Sequence, residues 1–290
     1  MNVIQAIILE LNNREKAIIF WATLFFIWAL SKKEVRNSLS HVFKTFFAPK
    51  LFITFLVFSS YILFLLWALN DTGFWEAFLL KDTIVWFFGV ALVLFLNIPK
   101  AQENENFFKT LLINNFKIFI LIQFVINTYV FTLPIEIVAV PATALLGAMA
   151  VLAEYKDEHK IIRKPIEAML SIIGFMYIIF SFSAAFTDFD NFFTSTTFKK
   201  FSLPLSLTVL LIPLLYLFAV IFLYEMVFIR LSLKEYFKVN IVNIKFAVIK
   251  TCFLNIARLR RFEKIIWDYD LSKNEELEKA MNQIKIGKRV

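Results

Sequence analysis

The sequence predicts an all-α, polytopic membrane bundle carrying a C-terminal cytoplasmic amphipathic helical tail. Three observations lead there. Seven apolar stretches, none with a Lys or Arg inside it, alternate with short charged connections. At 60% hydrophobic residues and a mean hydropathy of +0.71, the 290-residue chain is too apolar for one soluble core with a wetted surface, so lipid must be part of its solvent. The Lys and Arg residues also sort by alternating connection, as those of a multi-pass protein do.

The expected spans are 17–30, 51–69, 83–98, 118–133, 135–153, 168–186 and 203–224. A helix rises 1.5 Å per residue, so residues 51–69 or 203–224 cover a hydrocarbon layer roughly 30 Å thick. Residues 17–30 reach only about 21 Å, which leaves two counts open: seven spans, or six plus a re-entrant first segment. The fourth and fifth stretches form one continuous apolar run, too long for a single crossing, and are divided at Pro134 as a tight helical hairpin. Between the first two spans, Val35, Leu39, Val42, Phe43, Phe46 and Phe47 fall on one helical face, with Lys32, Lys33, Arg36 and Lys44 elsewhere, the pattern of a helix lying on the inner leaflet or, alternatively, of a loop helix packed on the tail.

Most of the 31 Lys and Arg residues lie in the connections after the first, third and fifth spans and in the tail. Only Arg14, Lys16, Lys81, Lys199 and Lys200 fall on the other side. The basic side is cytoplasmic by the positive-inside rule, which places the C-terminus in the cytoplasm of a cell (inner) membrane and, with seven spans, the N-terminus outside.

Polar groups at membrane depth are costly and mark where work is done. Gln123 and Asn127, one helical turn apart with Thr128 beside them, read as inter-helix hydrogen bonding or as the stripe of a polar path. Glu136 follows Pro134 at the hairpin tip. It joins Asp71, Glu76, Asp82, Asp188 and Asp190 on the outer surface, as solvated loop charges or as a cation-attracting vestibule. Ala144, Gly147 and Ala148 give the fifth span a small-residue face suited to close helix approach, making it the candidate centre of the bundle, with the Phe-rich second and sixth spans outside it.

The domain boundary is expected at 224/225. In residues 225–290, Phe237, Ile241, Ile244, Val248, Cys252 and Ile256 recur at helical spacing as one apolar stripe. Lys234, Lys238, Lys245, Lys250, Arg258, Arg260 and Arg261 surround it as a lipid-facing basic set for an anionic inner leaflet. Packing of the stripe against neighbouring chains is the other placement. A short acidic helix should start at Ser272, with Glu275 three residues on.

One cysteine and two histidines, His41 and His159, make no zinc or haem site within a chain, and the five scattered glycines build no phosphate loop. No cofactor, metal, catalytic residue or nucleic-acid partner is expected, so the chain is not read as an enzyme. The sequence ranks an oligomeric pore or ion-conducting protein first, a secondary transporter of a small solute second, and third a membrane anchor, sensor or effector whose tail binds a cytosolic protein.

Overall fold

Long apolar runs without internal breakers satisfy their backbone hydrogen bonds locally, and the computed structural model is helical throughout its regular structure. It describes residues 11–99, 107, 110, 118–155, 160–233, 241–266, 268, 269, 271 and 273–286. The helices, in order, are α1 (Asn13–Ser31), α2 (Lys33–Phe46), α3 (Pro49–Asp71), α4 (Ala77–Leu96), α5 (Ile118–Thr128), α6 (Leu133–Tyr155), α7 (Lys160–Thr187), the single turn α8 (Phe189–Phe192), α9 (Ser195–Leu233), α10 (Ile241–Cys252), α11 (Ile256–Ile265) and α12 (Asn274–Ile286).

Each of the seven apolar stretches falls on a helix, and five helices among the described residues (α3, α4, α6, α7 and α9) are long and apolar enough to cross a membrane. Helix α9 is 39 residues long, about 58 Å at the usual rise, far more than one crossing needs. The expected boundary at 224 therefore falls inside a continuous helix.

The chain divides into two units. The first comprises residues 1–84 and 115–206. Here α1 starts at a capping box, in which the Asn12 side chain accepts from the Glu15 N–H and Glu15 accepts in return from the Asn12 N–H, both at 2.8 Å. Lys32, in an extended conformation, separates α1 from α2, which has no buried residue and keeps its two-sided character along the surface. Pro49 opens α3 at a position where its missing N–H costs nothing. Gly73 closes it with a φ of +71°, as the left-handed residue that follows a helix end requires. The chain leaves helical geometry at 129–132, so the division expected near Pro134 is present. Helix α6 packs on α1 and α7, while α5 packs on α7.

The small-residue face does not sit at the centre. Ala144 and Ala148 are exposed, and a Cβ added to Gly147 would meet no atom within 4 Å. The buried helix is α9: Leu203, Leu207, Leu211, Leu215, Ala219, Leu223, Val227 and Leu231 are all fully inaccessible. These residues are spaced by four, so they form one ridge along the helix.

The second unit comprises residues 85–114 and 207–290. Trp86 donates its indole N–H to Thr208 Oγ1 at 2.9 Å, and the Phe95 and Phe218 rings meet edge to face at 6.0 Å. Helices α10, α11 and α12 pack on one another. The single stripe expected across residues 237–256 is instead broken. Phe253 adopts a φ of +44° and Asn255 caps α11 by accepting from the Arg258 N–H, so α10 and α11 are separate helices. Ile244, Val248, Cys252, Ile256, Leu259 and Phe262 are buried, as are Ala280, Met281 and Ile284 of α12. The inward half of the stripe is thus covered by the chain itself, a placement distinct from lipid or a neighbouring chain. Phe237, Lys234, Lys238 and Ser272 lie outside the described residues.

Candidate functional site

The site is built where the starts of α1 and α6 meet the end of α5. Five residues before Pro141, Glu136 lies in the first turn of α6 and is fully buried. Its Oε1 accepts from Arg14 Nη2 at 3.3 Å and from the Phe131 N–H at 3.1 Å, and its Oε2 accepts from Arg14 Nε at 3.3 Å and the Tyr177 hydroxyl at 3.1 Å. A buried carboxylate persists when each oxygen has charged or polar donors, and the two-pronged guanidinium supplies them in a fixed geometry.

Arg14 is itself held on its other side. Nη1 donates to the Ile126 carbonyl and to Asn127 Oδ1, both at 3.2 Å, and the guanidinium lies over the Tyr177 ring at 4.4 Å. Neighbouring residues of α1 tie down the same link: Asn12 Nδ2 donates to the Asn127 carbonyl at 2.9 Å, Asn13 Nδ2 to the Phe131 carbonyl at 3.0 Å, and the Trp21 indole to the Ile137 carbonyl at 2.8 Å. The Phe131 ring stacks on Phe180 at 4.1 Å, and the buried Ser181 hydroxyl donates to the Tyr129 carbonyl at 2.8 Å. Three polar atoms of the non-helical 129–132 link, the Tyr129 and Phe131 carbonyls and the Phe131 N–H, are thus met by side chains, as backbone groups turned away from water require.

Beside this cluster opens a cavity of about 500 Å³. Arg14, Gln123, Thr143 and Tyr177 give it polar points; Ile18, Ile122, Ile126, Val140, Gly174 and Ile178 supply its apolar walls. The Thr143 hydroxyl donates back to the carbonyls of Ala139 and Val140 of its own helix. A cavity of this size with few polar groups on apolar walls suits a small molecule with a polar head.

Of the expected polar path, Asn127 and Glu136 are thus brought together through Arg14, and Gln123 lines the same cavity. Thr128 donates to the Phe124 carbonyl of its own helix. The acidic residues are spread out. Glu76 pairs with Lys199, and Asp82 lies 3.8 Å from Lys81, which also meets Glu15 at 3.3 Å. Asp188 accepts from Tyr129 at 3.1 Å and from Asn191 at 2.6 Å. Asp71 and Asp190 are exposed. Among the described residues no three His, Cys, Asp or Glu side chains gather to hold a metal ion.

In the tail, Lys250 is exposed on α10, Lys245 is half-buried with its ammonium 5.2 Å from the Phe228 ring centre of α9, and Arg260 is only 8% exposed, on the covered side of α11. Arg258 donates to the Thr251 carbonyl at 3.1 Å and Arg261 to the Ile284 carbonyl of α12 at 2.8 Å. The docking of α12 on the basic helices thus shows an apolar seam and a cation at a helix C-terminus.

Sequence reasoning missed Arg14, Thr143 and Tyr177. A usable signal existed for Arg14: an Arg and a Glu, each at the start of an apolar stretch and assigned to the same membrane face, are natural partners. Compared with known protein families, with curated proteins and with solved structures, the chain matches none.

Proposed function

We propose that this integral membrane protein takes up a small solute in the cavity walled by α1, α5, α6 and α7, acting as a secondary transporter. The observation that carries this reading is the buried Arg14–Glu136 pair at the edge of a 500 Å³ space lined by a single chain. Burying ionisable groups is costly, and binding sites are where that cost is offset by function. The apolar walls favour a solute with an apolar body; Gln123 and Arg14 favour a hydrogen-bonding or anionic head. Seven spans with the start of α1 outside fit this reading, because the Arg14 contacts hold that start against the α5–α6 link.

Gly174 offers the test. It lines the cavity, and a Cβ placed there meets nothing within 4 Å, so Gly174→Phe puts a ring into the space from an unobstructed position. Purified wild-type protein in liposomes should show saturable uptake from a panel of small amphiphilic anions, reduced at least tenfold in Gly174→Phe. Non-saturable ion conductance that survives the substitution points to an oligomeric pore, the reading favoured by the exposure of Gln123, Asn127, Ala144 and Ala148. Absence of any flux leaves the membrane-anchor role.

A further inference from the structure

Helix α10 is apolar on two sides. One side is buried on the protein, while Val242, Phe246, Ile249 and, past the helix end, Phe253 and Leu254 stand out at 75, 66, 44, 69 and 45% exposure. The level of this second face is set by α9. The Tyr216 hydroxyl donates to the Leu254 carbonyl at 2.7 Å, the Tyr224 hydroxyl donates to the Phe253 carbonyl at 2.6 Å, and the Lys245 ammonium lies over the Phe228 ring at 5.2 Å. Helix α10 therefore runs back along α9, and its far end reaches Tyr216. The apolar run of α9 starts after Lys200, and about 20 residues cross the hydrocarbon, which puts the inner boundary close to Val220. The Phe253–Leu254 turn straddles that boundary.

The charges agree with this level. Between Glu235 and Glu263 the chain carries Lys238, Lys245, Lys250, Arg258, Arg260 and Arg261 and no acid, the sign that anionic headgroups select. Phe253 keeps a left-handed backbone, with φ +44°, that glycine would adopt without strain, and sets a large apolar ring at the turn instead. The geometry points to a membrane wedge: the α10–α11 turn and the outward face of α10 are embedded among the acyl chains of the cytoplasmic leaflet, with Lys245, Lys250 and Arg258 at the phosphates. This inference rests on the integral-membrane reading above, but not on transport.

Spin labels on full-length protein in liposomes of zwitterionic and anionic phospholipid test it. Single cysteines replace Val242, Phe246 or Ile249, all exposed and tolerant of a label, with Leu63→Cys on α3, 66% exposed, as the lipid reference. Oxygen should broaden the signals at 242, 246 and 249 severalfold more than a water-soluble nickel chelate does, as at Leu63. A nickel-dominated response at the three α10 positions, with Leu63 still oxygen-dominated, overturns the wedge by placing α10 in water. Shielding from both agents overturns it by placing a protein, such as a second copy, on this face. A nickel-dominated response at Leu63 itself defeats the membrane reading, and is thereby told apart from failure of the wedge alone.

Discussion

At Glu136 the four donors described above replace water, and the energetics of such a site are asymmetric. Removing one partner of a buried ion pair strands the other, at about 3 to 5 kcal/mol, whereas replacing both with apolar groups of similar volume is often close to neutral. Arg14→Met and Glu136→Leu should each lower the unfolding midpoint in detergent substantially, while the double variant recovers most of the loss. A double variant as unstable as the sum of the singles would show that the two side chains do not act as a pair. The pair was missed because its members lie 122 residues apart, and the signal that existed, a shared membrane face, names a side rather than a partner. Composition and spacing expose costly groups; they do not say which ones meet. Gln123 and Asn127 were legible because a one-turn spacing on an apolar helix is a local signal.

At the element scale, local signals read well where one physical rule dominates. The division of α5 from α6 follows from length against bilayer thickness, and α2 from its two-sided periodicity. The break at Phe253 escaped detection because the apolar spacing continues through it and no Gly or Pro marks the turn; the left-handed residue is held by hydroxyls from α9, which is tertiary information. Centrality was misread for a related reason. Small-x-x-x-small spacing permits close approach but does not say to what, and in α6 it faces away from the rest of the chain. Ala144→Leu and Ala148→Leu should therefore leave the thermal midpoint of the monomer in detergent within a degree or two of wild type, since surface substitutions usually change stability by less than 0.5 kcal/mol. If the face serves a homo-oligomer, the same substitutions shift the mass measured in mild detergent toward the monomer.

For the whole molecule, the decisive constraint is that one end of α1 is fastened to the α5–α6 link by Asn12, Asn13 and Arg14. Hydrogen bonds of about 3 Å cannot reach across a bilayer, so Lys16 and Thr132 must share a face. On the proposed seven-span reading, Asp190 should lie there too, with His41 and Lys164 opposite. Single cysteines at these five exposed positions, probed in sealed vesicles with a membrane-impermeant maleimide, should split into those two sets. The native background stays quiet: burial pushes the Cys252 thiol up to about 11, so at pH 7.5 it remains protonated, and the thiolate that attacks maleimide is scarce. Labelling of Lys16→Cys together with His41→Cys and Lys164→Cys, while Thr132→Cys reacts only from the other side, would be incompatible with the Arg14–Glu136 pair and would leave α1 as a re-entrant segment rather than a crossing helix.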